Sequence, residues 1–237
     1  MVPDKKKEQW LVVFPWAGGS AVSFIDWHRN FSRLLLTEYI GHGTRMWELL
    51  PDTMTELLSD VQYQIEKNIP EGSELILFGH SMGGMAAAEV AIKVEQEKKY
   101  VLRTVCLSSV IFPYTRAINS AVSESMLQGK NLSTSLYHNN SVKPGKKSSD
   151  QLESILKQDL ALMSRHTWNI SFNTVNTLSA PIHYFYGEQD LPGIRQNLER
   201  WKSRIPFQRI HAFPGGHFYL EEPGNRAKII RIIKSML

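Results

Sequence analysis

The chain has 237 residues, of which 42% are hydrophobic and 21% charged, values that are typical of a globular protein with a full core. The formal net charge of +4 comes from scattered basic residues and does not indicate a nucleic-acid-binding protein. A single cysteine, Cys106, excludes an internal disulfide, and no apolar run has the length of a membrane span. We therefore expect a cytoplasmic protein that binds neither nucleic acid nor membrane.

Short apolar runs alternate along the chain with segments of helical period. Strands are predicted at residues 10–14, 34–40, 75–78, 101–110, 181–186 and 207–213. Helices are predicted between them at residues 23–33, 54–69, 85–91 and 194–203, with a closing helix that ends at 237. This alternation indicates an α/β fold with a mostly parallel sheet and helices on both of its faces.

Residues 114 to about 174 break this alternation, because they are rich in Ser, Asn and Lys and contain only short helical patterns, such as 151–163. An insertion at this point would lie over the ends of the strands. We therefore predict one domain over residues 1–237, with a helical lid inserted at about 114–174.

The strongest motif follows the predicted strand at 75–78. The segment Gly79-His80-Ser81-Met82-Gly83 matches G-x-S-x-G, and an alanine-rich helix comes directly after it. A strand, a tight turn with serine at its tip and a helix form the nucleophile elbow of hydrolases. Ser81 is therefore the candidate nucleophile, and the backbone N–H of Met82 is a candidate donor to the oxyanion.

A second oxyanion donor is expected on the loop after the first strand. That loop reads Trp16-Ala17-Gly18-Gly19, and a glycine pair lets a backbone N–H turn toward a site. We predict the N–H of Ala17 as this donor, with that of Trp16 as the alternative.

Two further loops carry candidate partners for Ser81. Asp190 follows the predicted strand at 181–186, and His217 follows the one at 207–213. Loops after parallel strands share one edge of a sheet, and the order Ser, Asp, His is that of the α/β hydrolases. We therefore predict that the single domain over residues 1–237 has the α/β-hydrolase fold. Glu188 is the alternative acid, and His42, between two glycines, is interpreted as part of a turn.

At this point the chain resembles a known family, the type II (external, editing) thioesterases of nonribosomal peptide and polyketide synthases. The resemblance covers most of the chain and rests on motifs at residues 14–19, 41–45, 78–84, 186–190 and 215–218. It implies a catalytic triad of Ser81, Asp190 and His217 and an oxyanion hole formed by Ala17 and Met82. It also implies hydrolysis of acyl thioesters on the phosphopantetheine arm of acyl- or peptidyl-carrier protein domains, without a cofactor or metal, and we expect a monomer.

The predicted lid and the loop after the first strand supply the candidate acyl contacts. These are Trp16, Met126, Leu127, Leu132, Leu136, Leu160 and Met163. Two departures from the family pattern affect acyl specificity rather than the core chemistry. No proline precedes Gly41, and the glycine-rich stretch that the family has in its lid is not recognisable at 125–147.

Three other functions fit part of this pattern. A general carboxylesterase would use the same triad on oxygen esters, and a serine acyltransferase would pass the acyl group to an alcohol or an amine. A hydrolase-fold binding module is the third, although binding alone does not require the three triad residues.

Overall fold

The computed structural model describes residues 7–111 and 146–237. At its centre is a six-stranded sheet in the order β2-β1-β3-β4-β5-β6, in which all neighbouring strands are parallel. The strands are β1 (Gln9–Phe14), β2 (Leu34–Leu36), β3 (Glu74–His80), β4 (Val101–Ser108), β5 (Ile182–Gly187) and β6 (Phe207–Phe213). The predicted mostly parallel sheet is thereby confirmed.

Helices connect the strands. They are α1 (Met54–Asn68), α2 (Met82–Glu97), α3 (Lys146–Arg165), α4 (Phe172–Val175), α5 (Pro192–Lys202) and α6 (Pro223–Lys234). Three-ten helices occupy Ala21–Arg29, Gly43–Arg45 and Tyr219–Glu221. The segment predicted as an α-helix at 23–33 is therefore a three-ten helix, and the pattern at 151–163 belongs to the longer helix α3.

The strand predicted at 34–40 ends early, at Leu36. Beyond it, the Glu38 carboxylate accepts hydrogen bonds from the backbone N–H groups of Ala21 and Thr44, both at 3.1 Å. These bonds tie the chain after β2 into the loops at the sheet edge instead of continuing the strand.

Apolar side chains cover both faces of the sheet. Successive residues of a strand alternate between two buried clusters, as the twofold period of a strand requires. In β3, Ile76 and Phe78 pack with the three-ten helix Ala21–Arg29 and α6, while Leu75 and Leu77 pack with α1, α2 and α3. This two-sided burial explains why the strand sequences are almost continuously hydrophobic.

The described helices lack any apolar stretch of the length and low charge that crossing a bilayer requires.

Candidate active site

The sharp turn between β3 and α2 consists of a single residue, Ser81. β3 ends at His80, α2 begins at Met82, and Ser81 has φ 54° and ψ −119°. This backbone conformation is strained for a residue with a side chain and persists only where its surroundings hold it. Here the Ser81 N–H donates to the carbonyl of Ser108 at 2.8 Å, and the N–H of Gly84 donates to the Ser81 carbonyl at 3.0 Å.

Two glycines allow the segments around Ser81 to approach closely. A Cβ on Gly79 would lie 2.0 Å from the carbonyl oxygen of Gly83, and a Cβ on Gly83 would lie 2.1 Å from that of Phe14 and 2.3 Å from that of Pro15. No other residue fits at either position. The same contacts bring the loop after β1 against the Ser81 turn.

Ser81, His217 and Asp190 form a chain of hydrogen bonds. His217 Nε2 lies 3.1 Å from Ser81 Oγ, and His217 Nδ1 lies 2.8 Å from Asp190 Oδ1. An ionised carboxylate only accepts, so Nδ1 carries the proton and the Nε2 lone pair faces the serine hydroxyl. This is the tautomer that a general base for Ser81 needs.

Backbone hydrogen bonds between the loops after β5 and β6 bring Asp190 and His217 together. The N–H of Glu188 donates to the carbonyl of Phe213 at 2.8 Å, and the N–H of Gln189 donates to that of Gly215 at 2.9 Å. This pairing leaves the Glu188 side chain exposed, while Asp190 is 5% exposed and faces His217. The structure therefore brings Asp190, rather than the alternative acid Glu188, to the histidine.

The carboxylate of Asp190 is held on both oxygens. Oδ1 also accepts from the Leu191 N–H at 2.7 Å, and Oδ2 accepts from the Ser109 hydroxyl. Burial by itself would raise the pKa of Asp190. The charge and hydrogen bond of His217 and the bonds from Ser109 and Leu191 outweigh burial and hold this pKa below its ordinary value.

A second histidine, His80, lies beside His217, with ring centroids 4.9 Å apart. It is fully buried, and its Nδ1 lies 2.8 Å from the Ser108 hydroxyl, which in turn lies 2.6 Å from the Tyr219 hydroxyl. Burial and the neighbouring charge of His217 lower the pKa of His80 well below its usual range. His80 therefore stays neutral and adds no positive charge that would oppose protonation of His217.

The two expected oxyanion donors belong to two segments, the start of α2 and the loop after β1. Met82 is the first residue of α2, so its N–H has no acceptor within the helix. Ala17 lies in a turn closed by a hydrogen bond from the Gly19 N–H to the Trp16 carbonyl at 2.9 Å, and its own N–H makes no hydrogen bond within the described segments. Ala17 and Met82 belong to one buried cluster.

The expected acyl contacts fall into two groups. Leu160 and Met163, on α3, are buried in the same cluster as Ala17 and Met82, whereas the Trp16 side chain is 1% exposed and packs against Phe24, His80 and Phe218. Met126, Leu127, Leu132 and Leu136 lie outside the described residues. Substrate contact by any of them stays a prediction.

A second buried pair, His42 and Asp159, was not predicted to belong to the site. Asp159 Oδ2 lies 2.9 Å from His42 Nε2 and accepts the Gly18 N–H at 2.7 Å. A signal for Asp159 exists, because it falls in helical register with buried Ile155, Leu156 and Met163 and so places a carboxylate on the apolar face of α3. His42, between two glycines, has no comparable local signal.

A family model described as "Thioesterase domain" matches residues 9–237. This chain belongs to the thioesterase domain family. It is therefore an enzyme that hydrolyses thioester bonds, and the Ser81 site lies inside the matched range.

Among similar proteins, this thioesterase is 27% identical over 236 residues to the medium-chain S-acyl fatty acid synthase thioesterase of Homo sapiens, covering 95% of this chain and 86% of the human protein. The solved structure of ClbQ from the colibactin NRPS/PKS pathway matches with a TM-score of 0.76 at 22% identity over 97% of this chain and 98% of ClbQ. The type II thioesterase BorB from the borrelidin biosynthetic cluster matches with a TM-score of 0.73 at 21% identity over 99% and 94%. The predicted hydrolase-type fold and the resemblance to type II thioesterases are confirmed.

Proposed function

We propose that this thioesterase removes acyl groups from the phosphopantetheine arm of carrier proteins, as an editing enzyme of nonribosomal peptide or polyketide biosynthesis. The observation that carries the hydrolytic part is the hydrogen-bonded chain Ser81–His217–Asp190 on a strained turn. The relatives of this chain support a carrier-bound substrate. ClbQ comes from an NRPS/PKS pathway, BorB is a type II thioesterase, and the human relative is an S-acyl fatty acid synthase thioesterase.

The first half of the reaction transfers the acyl group to Ser81. Ser81 Oγ attacks the thioester carbonyl while His217 Nε2 takes the hydroxyl proton. The carbonyl oxygen becomes an oxyanion, which accepts hydrogen bonds from the N–H groups of Ala17 and Met82. When the carbon–sulfur bond breaks, the sulfur of the pantetheine arm takes the proton from His217 and leaves as a thiol.

The second half returns the enzyme to its starting state. His217 removes a proton from a water molecule, and the resulting hydroxide attacks the ester on Ser81. The same two N–H groups stabilise the second oxyanion. Collapse of this intermediate breaks the bond to Ser81 Oγ, which recovers its proton from His217, and the free carboxylic acid departs.

Asp190 supports both halves without exchanging a proton. Its ionised carboxylate holds the Nδ1–H tautomer and stabilises the imidazolium that forms at each step. The lowered pKa of Asp190 suits this role, because the carboxylate stays charged at neutral pH.

The test is hydrolysis of an acyl group from a purified carrier protein, followed by mass spectrometry of the phosphopantetheine arm. We expect the wild-type enzyme to release free acid and carrier thiol, and Ser81→Ala to release neither. Faster turnover of nitrophenyl esters than of acyl-pantetheine would indicate a carboxylesterase. Transfer to an added alcohol or amine in place of free acid would indicate an acyltransferase, and either result would overturn the proposal.

A further inference from the structure

Helix α3 makes a polar contact with the loop that carries the expected oxyanion donor. Asp159, on α3, is fully buried, and its Oδ2 accepts the backbone N–H of Gly18, the residue after Ala17, at 2.7 Å. The contact is close, because a Cβ on Gly18 would lie 3.1 Å from the Leu156 Cβ of the same helix. α3 therefore packs directly on this loop.

The Gly18 N–H belongs to the central peptide of a β-turn. The Gly19 N–H donates to the Trp16 carbonyl at 2.9 Å, which closes the turn over Ala17 and Gly18, and Gly18 has φ +72°. A positive φ at the third position is the mark of a type II turn, whereas the opposite orientation of the central peptide gives type I. By accepting the Gly18 N–H, Asp159 favours the type II orientation that the structure shows.

His42 neutralises the carboxylate of Asp159. Its Nδ1 lies 2.9 Å from the Ile40 carbonyl, which can only accept, and its Nε2 lies 2.9 Å from Asp159 Oδ2. Both ring nitrogens therefore face acceptors, and an imidazolium satisfies both of them. Burial lowers the pKa of His42, but the hydrogen bond and charge of Asp159 outweigh burial and raise it. The pair leaves no net negative charge next to the loop where an oxyanion forms.

We propose that Asp159, paired with His42, is a positioning residue: it anchors the Trp16–Gly19 turn through the Gly18 N–H and so holds the adjacent Ala17 N–H in place to face the oxyanion. The inference rests on the proposed hydrolysis at Ser81. In this proposal α3, which lies within the predicted lid, contributes to catalysis although it does not contact the reacting atoms. The physical reason is that an oxyanion hole works through donors that are already oriented before charge develops.

The first test compares three substitutions at one position on a soluble acyl-pantetheine substrate. Asp159→Leu removes the acceptor for the Gly18 N–H, and we expect kcat to fall by about 10- to 100-fold, somewhat less than the loss of a whole oxyanion donor, with KM nearly unchanged. Asp159→Asn keeps a carbonyl acceptor and should restore kcat to within about fivefold of wild type. Asp159→Ala should resemble Asp159→Leu.

The second test separates positioning from a general loosening of α3. A boronic acid that forms a tetrahedral adduct on Ser81 should lose affinity for Asp159→Leu by the same factor as kcat, while a non-hydrolysable thioether analogue should bind as to wild type. The matched control is Leu162→Ala, which removes a buried apolar side chain of α3 and leaves Asp159 in place. It should lower the melting temperature without reproducing the loss of boronate affinity.

Three results would overturn the proposal: wild-type kcat in Asp159→Leu, an effect on KM alone, or the same boronate loss in Leu162→Ala. If Asp159→Leu does not fold, His42→Gln carries the test, because it removes the imidazolium and leaves α3 in place. We expect it to lower kcat and boronate affinity together, by about three- to tenfold, and unchanged values would count against the proposal. Activity of Ser81→Ala would instead refute the proposed function, so the two failures are distinguishable.

Discussion

Two buried His–Asp pairs lie at the same edge of the sheet, and they differ in what the second nitrogen of the histidine faces. His217 contacts Asp190 at 2.8 Å and has the Ser81 hydroxyl at its other nitrogen, whereas His42 contacts Asp159 at 2.9 Å and has the Ile40 carbonyl there. A hydroxyl can donate, so His217 can be a neutral base. A carbonyl cannot, so the contacts of His42 favour its protonated form and raise its pKa. The same pair of residue types thus supports proton transfer in one place and an ion pair in the other.

The largest expected effect comes from removing the Ser81 hydroxyl, which the His217–Asp190 pair contacts and the His42–Asp159 pair does not. Ser81→Ala should lower turnover by about 10⁶-fold, as the loss of a serine nucleophile does elsewhere, with the fold retained. Steady-state kinetics on acyl-pantetheine measures this, and circular dichroism checks the fold. A fluorophosphonate should label Ser81 in the wild type, and a label mapped to another serine would contradict the assignment.

Replacing the aspartate of each pair with asparagine tests the comparison directly. Asp190→Asn should lower kcat by about 10⁴-fold, because the amide no longer holds the Nδ1–H tautomer of His217. Asp159→Asn should stay within about fivefold, because the acceptor for the Gly18 N–H remains. Glu188→Gln is the control on the Asp190 loop, and an effect as large as that of Asp190→Asn would move the acid to Glu188.

A smaller effect is expected from the second oxygen of Asp190. Ser109→Ala removes the hydroxyl that donates to Oδ2, and we expect kcat to fall by about tenfold, since hydrogen bonds to a charged group are worth about 1.5 kcal/mol or more. The pKa of Asp190 should rise toward its ordinary value, because that bond helps to lower it. An NMR titration of the Asp190 carboxyl group measures the shift, and an unmoved pKa would contradict this account.

The smallest expected effect is a pH-dependent change in the unfolding free energy that comes from the His42–Asp159 pair. The folded-state pKa of His42 is raised, so the stability that its proton provides is present below the unfolded value of about 6.5 and is lost as pH rises through the folded value. The charged groups that face it are Asp159 and Glu38, which both raise this pKa, and the neutral Tyr39 ring packs against it. We expect the difference in unfolding free energy between wild type and His42→Gln to shrink from pH 6 to pH 9.

Urea unfolding at several pH values measures that difference. Subtracting the unfolding free energy of the variant from that of the wild type cancels the contributions of the titratable groups that both proteins share. A difference that grows toward pH 9 would show that His42 is neutral in the folded protein. His28→Gln is a suitable control, because it makes the same substitution at an exposed histidine.

The choice between Asp190 and Glu188 illustrates where sequence reasoning stops. Both carboxylates lie on one short loop after β5, and their spacing leaves either able to reach a histidine. The decision comes from the backbone bonds to Phe213 and Gly215, which leave Glu188 in solvent. The pairing of His42 with Asp159 is even harder to predict from the sequence. The two residues are separated by 117 positions, and no motif around either of them indicates the other.

The sequence by itself determined the α/β fold, the strand positions, the Ser81 turn and the order of its three candidate catalytic residues. These follow from hydrophobic periodicity and from glycines whose spacing has one steric explanation, and both are local properties of the chain. Only the tertiary structure decided which carboxylate faces His217, that Ser109 and His80 surround the pair, and that α3 contacts the turn of Ala17 through Asp159. Those contacts join residues far apart in the chain, and their hydrogen bonds and burial exist only once the sheet edge has assembled.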